Sequence, residues 1–263
     1  MASFLASWFT FLLAPPPPLP QYEGSNVLAL IPDFALQSTL KTALLVALSL
    51  GLPPLVFSRL LPALDTKTSY KLAGWVSALV HHTIVVAVSV RCLYLEYAHS
   101  RVDIGGMLDG VTWTVAYLAN DTLTTALPDA LRGQYDYLFH HALSIVMTAI
   151  TVCLYPPKLL RLAPHLWLCE VSAYGLGLSW VCQKFGLAHT ALCRFAEALF
   201  LTTFLATRCV NLPVVVYAAA WNGEVGLPLL VLVLWPIVIL QFWWAYKAFS
   251  LMLCSSAAPA KEA

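Results

Sequence analysis

Charge is what this sequence has least of. Asp, Glu, Lys and Arg make up 10% of its 263 residues against 60% hydrophobic ones, and the mean hydropathy is +0.78. Water-facing surfaces need far more charge than that, so an ordinary soluble domain is excluded. The composition predicts the all-α class: a polytopic integral membrane bundle of six to seven transmembrane helices. Spans and short connections consume nearly the whole chain, which leaves no room for a soluble catalytic domain. Any chemistry therefore lies inside the bundle or at its edge. A net charge of +1 gives no footprint for nucleic acid. The seven cysteines contain no CxxC pair, so neither a disulfide framework nor a zinc site is favoured. No Lys or Arg precedes the apolar residues 1–14, so the basic region of a signal peptide is missing and an interfacial segment is expected.

What is present divides the chain into four parts. Residues 1–33 form the N-terminal apolar segment and a stiff linker containing Pro15 to Pro18 and Pro20; residues 34–64 form a first transmembrane helix kinked or ended at Pro53-Pro54. Residues 65–250 form the main membrane domain, and 251–263 a polar tail. Spans are expected near 34–57, 72–93, 111–127, 137–155, 164–183, 191–216 and 225–246. Glu96 and Arg161 fall in the polar connections between them. Seven spans put the chain ends on opposite sides. Arg59, Lys67, Lys71, Arg132, Lys184, Arg194, Lys247 and Lys261 share the side of the tail; Lys41, Arg91, Arg101, Lys158, Arg161 and Arg208 share the other. Eight basic residues against six point to a cytosolic C-terminus.

The informative stretch runs from Val111 to Tyr155. Two apolar segments are joined by a short polar linker, Pro128 to Asp136, and must be antiparallel neighbours. Asp121 lies about two turns from that linker and His140 about one, so the two can meet. Thr114, Tyr117, Asp121 and Thr124 share one face of the first helix; His140 or His141, Ser144, Thr148 and Thr151 share one face of the second. Both polar stripes should face inward, away from lipid. Paired imidazoles opposite a carboxylate suit general-base chemistry, because the carboxylate orients one ring and leaves a nitrogen to accept a proton from an amine or hydroxyl. Adjacent residues point about 100° apart, so only one of His140 and His141 can face Asp121. The HH spacing disfavours a metal site, and the sequon Asn120-Asp121-Thr122 lies too deep for glycosylation.

Counting depth from span ends sorts the remaining polar groups into two layers. His81, Asp121, His140, His141 and Glu197 belong to the half nearer the linker, and Glu170 and Arg208 to the opposite half, where they should form an ion pair. Arg194 and Glu197 form a second pair at i, i+3.

Five segments in order, Trp75 to His81, Tyr117 to Asp121, Phe139-His140-His141, Glu170-Val171-Ser172, and Phe204 to Arg208 with Pro213, resemble the TLC-domain family, which includes the ceramide synthases. The resemblance covers roughly residues 65–250. It implies a multi-span protein, most often of the endoplasmic reticulum, engaged in lipid synthesis, transport or sensing. In ceramide synthases the paired histidines are followed one helix later by His-Asp and further acidic residues. Here only His165 and Glu170 follow, so the chain is more similar to the smaller TLC-domain-containing proteins associated with phospholipid composition and membrane fluidity. The leading expectation is a protein that binds or handles phospholipid, sphingoid or acyl chains, with His81, Tyr117, Ser144, Glu170 and Arg208 as lipid-binding residues, and without a cofactor. The alternative is N-acyl transfer from acyl-CoA, a co-substrate, to a sphingoid base, with His140, His141 and Asp121 as its catalytic residues. A transporter or receptor is a third, disfavoured because no span is broken by paired Gly/Pro interruptions.

Overall fold

The computed structural model describes residues 31–153, 160–223 and 225–257. The expected interfacial segment, the Pro-rich linker and the end of the tail lie outside them. Among the described residues there are seven helical units and no strand. Helix α1 joins Ile31–Leu52 to Pro53–Phe57 and Ser58–Leu60; α2 is Thr66–His99; α3 joins Ile104–Asp121 to Thr122–Ala126 and Leu127–Ala130; α4 is Asp136–Cys153. Helix α5 joins Ala163–Trp167, Leu168–Glu170 and Val171–Lys184; α6 joins Ala191–Phe204, Leu205–Asn211 and Leu212–Trp221; α7 joins Leu227–Leu229, Leu230–Leu234 and Trp235–Ala257. The all-α membrane bundle is borne out. By length and composition α1, α2, α6 and α7 are long and apolar enough to cross a membrane. Helices α3, α4 and α5, which carry Asp121, the His140-His141 doublet and Glu170, are packed among them.

Local chemistry sets the helix ends. Asp65, Asp103 and Thr190 cap α2, α3 and α6 by accepting the backbone N–H three residues on, from Thr68 (2.9 Å), Gly106 (3.0 Å) and Cys193 (3.3 Å). The Thr68 hydroxyl and amide hold the Asp65 carboxyl below the usual carboxylate range, so this cap persists at neutral pH and is lost only as acid titrates through that lowered value. Gly133, Gly186 and Gly223, at φ +87°, +74° and +66°, let the chain turn away just past α3, α5 and α6.

Prolines shape the helices from within. Pro128, Pro213 and Pro236 each stand two residues after a π-helical segment, Thr122–Ala126, Leu205–Asn211 and Leu230–Leu234. A proline ring repels the carbonyl four residues earlier, and in each case that carbonyl lies inside the widened segment. The helix continues instead of breaking.

Six helices close a ring in the spatial order α2, α3, α4, α7, α6, α5, with α5 returning to α2. Helix α1 packs outside this ring against α2 and α3. It is fastened there by polar contacts: Ser49 and Ser77 hydroxyls at 2.8 Å, Asn120 Nδ2 donating to Ser49 Oγ at 3.2 Å, and Lys41 paired with Asp109 and donating to Thr112 Oγ1 at 2.6 Å. Asn120 of the sequon is thus buried inside the bundle.

Helices inside a membrane gain little from hydrophobicity and associate through close packing, which small residues permit. At the α5–α6 crossing a Cβ on Gly175 would lie 2.7 Å from Phe200 Cα and 2.8 Å from the Ala196 carbonyl oxygen. Gly175→Ala is expected to force the two helices apart and cost about 1–3 kcal/mol. Gly51→Ala on α1, whose Cβ would meet only Leu55 Cδ1 at 3.9 Å, should be neutral or stabilising. Unfolding midpoints of the two variants in mixed micelles check the contrast.

The last turns of α2 depart from the expected solvated connection. The helix runs on to His99, and Glu96 is buried there against Arg161, which reaches it through both Nε (2.8 Å) and Nη2.

Candidate functional site

Two histidine doublets line the ring's interior on either side of α3, His81-His82 on α2 and His140-His141 on α4, and each doublet has a carboxylate from a neighbouring helix. Asp121 reaches α4 from the last residue of α3's regular turn, directly before the π segment. Its Oδ2 lies 3.1 Å from His141 Nε2 and accepts hydrogen bonds from the Tyr137 hydroxyl (2.9 Å) and the Tyr117 hydroxyl (3.2 Å). His141 Nδ1–H donates to the Tyr137 carbonyl at 2.9 Å. With Nδ1 committed as a donor, a bare Nε2 would repel an ionised carboxylate, so one proton lies between the His141 and Asp121 side chains. Asp121 is 5% exposed and His141 1%.

The second pair sits on α2 and α5. His82 Nδ1 is 3.0 Å from Glu170 Oε2 and 3.3 Å from His81 Nδ1, while the His81 ring stacks on Tyr117 with centroids 4.3 Å apart and planes 9° from parallel. Glu170 is also 3.7 Å from Arg208 Nη2. Arg208, carried by the π segment of α6, donates through Nε to the Cys169 carbonyl (3.1 Å) and Ser172 Oγ (3.0 Å), and through Nη1 to Gln241 Oε1 (3.1 Å).

Both pairs border one cavity of about 320 Å³ at the centre of the ring. Its lining comes from all six ring helices and none of it from α1. His81, His82, Tyr117, Tyr137, His140, His141, Ser144, Thr148, Glu170 and Arg208 supply polar surface; Leu118, Met147, Leu166, Trp167, Phe200, Phe204 and Ile237 are among the apolar walls. Three imidazole nitrogens of residues in this wall, His81 Nε2, His140 Nδ1 and His141 Nε2, are buried and have no well-formed hydrogen bond, the last being in ion-pair contact with Asp121 off the line of a straight one.

A family model described as the TLC domain matches residues 71–250, two thirds of the chain. The chain belongs to the TLC-domain family. No curated protein and no solved structure matches it. The TLC-domain match begins within the first turns of α2 and ends in α7, so it spans the six-helix ring and leaves out α1, the helix that contributes nothing to the cavity.

Of the expected site residues, Asp121 and His141 come together, and His140 does not join them. It packs in a T-shaped arrangement with Trp244, centroids 5.1 Å apart, with Nδ1 unpartnered. Tyr117 and His81 stack, Ser144 lines the cavity, and Glu170 and Arg208 pair as expected. The separation into two layers fails: Glu170 and Arg208 share the cavity with His81, His140 and His141. Glu197 is the exception, absent from the lining and accepting only a long contact from Cys193 Sγ at 3.6 Å; no Arg194–Glu197 pair forms among the described residues. Thr124 turns its hydroxyl to the Asn120 carbonyl and stays out of the lining, and the Thr151 side chain lies outside the described residues.

His82 and Tyr137 complete the two carboxylate sites and did not stand out in the sequence. The recurrence of an HH doublet in two spans was the signal for His82. Tyr137 had none, since its role depends on a hydroxyl reaching back across the α3–α4 turn. Trp244 is oriented by Asp136, whose Oδ2 accepts from Trp244 Nε1 (3.2 Å) and Lys247 Nζ (2.8 Å). Among the described residues no three His, Cys, Asp or Glu side chains meet in metal-holding geometry.

Proposed function

We propose that this TLC-domain protein takes a lipid, a phospholipid, sphingoid or acyl chain, into the cavity of its six-helix ring and thereby influences membrane lipid composition. The observation that carries this reading is the mixed character of that cavity, a cluster of imidazoles, phenols and one ion pair against apolar walls, within the size range of small-ligand sites. An amphiphile satisfies both parts at once. The endoplasmic reticulum, common to the family it resembles, is the proposed membrane, with the C-terminus in the cytosol on the eight-to-six division of basic residues.

A second reading, N-acyl transfer from acyl-CoA to a sphingoid base, is favoured by one specific feature. Next to the proton-sharing Asp121–His141 pair stands His140, whose unpartnered Nδ1 would take a proton from an attacking amine. In that reaction the amine nitrogen attacks the thioester carbonyl, its proton passes to His140, and the CoA thiolate leaves and is protonated.

Purified protein incubated with labelled acyl-CoA and sphingoid base separates the two readings. Lipid retained through purification without turnover is the expected result for the binder. Product that disappears in His140→Ala would establish the transferase, and protein that retains no lipid and makes no product would refute both.

A further inference from the structure

The cavity also carries information about the polar group it is built to hold. Two facing Nδ1–H groups cannot occupy the 3.3 Å between His81 and His82. The proton there belongs to His82, because a bare nitrogen 3.0 Å from the Glu170 Oε2 carboxylate oxygen would be repelled by it. His81 Nδ1 is then the bare nitrogen and its ring proton resides on Nε2. That Nε2–H is buried, in a residue 2% exposed, and no protein acceptor meets it. A buried donor without a partner costs about 1–3 kcal/mol; His81 borders the cavity, and a ligand oxygen that reaches this ring edge from the cavity would recover it.

The charge around this donor narrows the ligand. Arg208 is the one Lys or Arg among the cavity-lining residues described, and all three of its nitrogens are engaged, with Cys169, Ser172, Gln241 and Glu170. No free cation is left to neutralise a phosphate or carboxylate, and two carboxylates, Glu170 and Asp121, already stand in or behind the wall. An uncharged acceptor fits; an anion does not.

We propose that His81 Nε2–H, set in that tautomer by the Glu170–His82 pair, holds the carbonyl oxygen of an acyl linkage (ester, thioester or amide) in an uncharged lipid. This deepens the lipid-binding reading and rests on it. His81 is the contacting residue, and His82 and Glu170 are positioning residues acting through it. Tyr117, stacked on the His81 ring, fixes the direction of the donor.

The test uses the full chain in dodecyl maltoside micelles, a detergent without a carbonyl, titrated with 1-monooleoylglycerol and with its ether analogue 1-O-oleylglycerol, bound lipid being read by native mass spectrometry. One buried neutral hydrogen bond should make the ester bind about tenfold tighter than the ether. His81→Phe keeps a ring on Tyr117 but has no N–H, and should bring the ester down to the affinity of the ether. Glu170→Gln, which releases the tautomer, should lower the preference without abolishing it, and it decides the matter if the Phe variant does not fold. Equal binding of ester and ether by the unaltered protein would overturn the carbonyl contact while leaving lipid binding intact. A preference that survives in His81→Phe, or is unchanged in Glu170→Gln, would overturn the assignment to His81. Oleate or oleyl phosphate binding tighter than the ester would overturn the uncharged ligand, and retention of no lipid at all would overturn the cavity reading with it.

Discussion

Asp121→Ala is expected to destabilise the protein by about 3–5 kcal/mol, because it removes the shared acceptor of a buried cluster in one step. Three groups lose their partner together: His141 Nε2, the Tyr117 hydroxyl and the Tyr137 hydroxyl, all converging on Asp121 Oδ2. Two of those groups, His141 and Tyr137, belong to α4 while Asp121 belongs to α3, so the loss also loosens the hairpin that forms one side of the ring. Asp121→Asn keeps an oxygen acceptor for one tyrosine while giving up the proton shared with His141, and should cost about 1–2 kcal/mol. Unfolding in mixed micelles by rising denaturing-detergent fraction measures both. An Ala variant as stable as the Asn variant would mean that the cluster is not held by its carboxylate.

The second large effect lies away from the cavity, at the Glu96–Arg161 pair. Glu96 is 2% exposed and Arg161 6%, and the pair ties the end of α2 to the chain entering α5. Truncating either partner leaves a buried charge uncompensated, so Glu96→Met and Arg161→Met should each cost about 3–5 kcal/mol. The double variant replaces both charges with apolar side chains of similar length and should recover most of that loss, giving a strongly non-additive cycle. Additive losses would show that the charges are solvated and the contact incidental.

That pair also marks where the sequence could not be read. Glu96 and Arg161 occur among other charged residues, and charge in such company signals a connection outside the membrane; only packing of the 34-residue α2 brings them under cover. The helices themselves were legible, because runs such as Val225 to Tyr246 without charge can satisfy their backbones in lipid only as helices. Asp121 opposite the His140-His141 doublet was legible too, since a linker as short as Pro128 to Asp136 leaves two spans no choice but to be neighbours. Depth was not. Counting from span ends placed Glu170 away from the histidines, but α5 opens with a short helix and a 3-10 turn that ends at Glu170, and His82 stands at the seventeenth of α2's 34 residues, the middle of a helix that at 1.5 Å per residue is about 50 Å long. The closure of α5 onto α2, which joins Glu170 to His82, is a property of the ring and of no local pattern.

The central claim is that a lipid chain enters the ring and does not merely coat its outside. A monoglyceride bearing a diazirine near the end of its chain, irradiated with the protein in micelles and mapped by peptide mass spectrometry, tests it most directly. The account predicts crosslinks on cavity-wall residues such as Leu118, Met147, Leu166 and Phe204. Crosslinks confined to outward residues such as Leu36, Leu40 and Leu44 of α1, with none on the cavity wall, would contradict it.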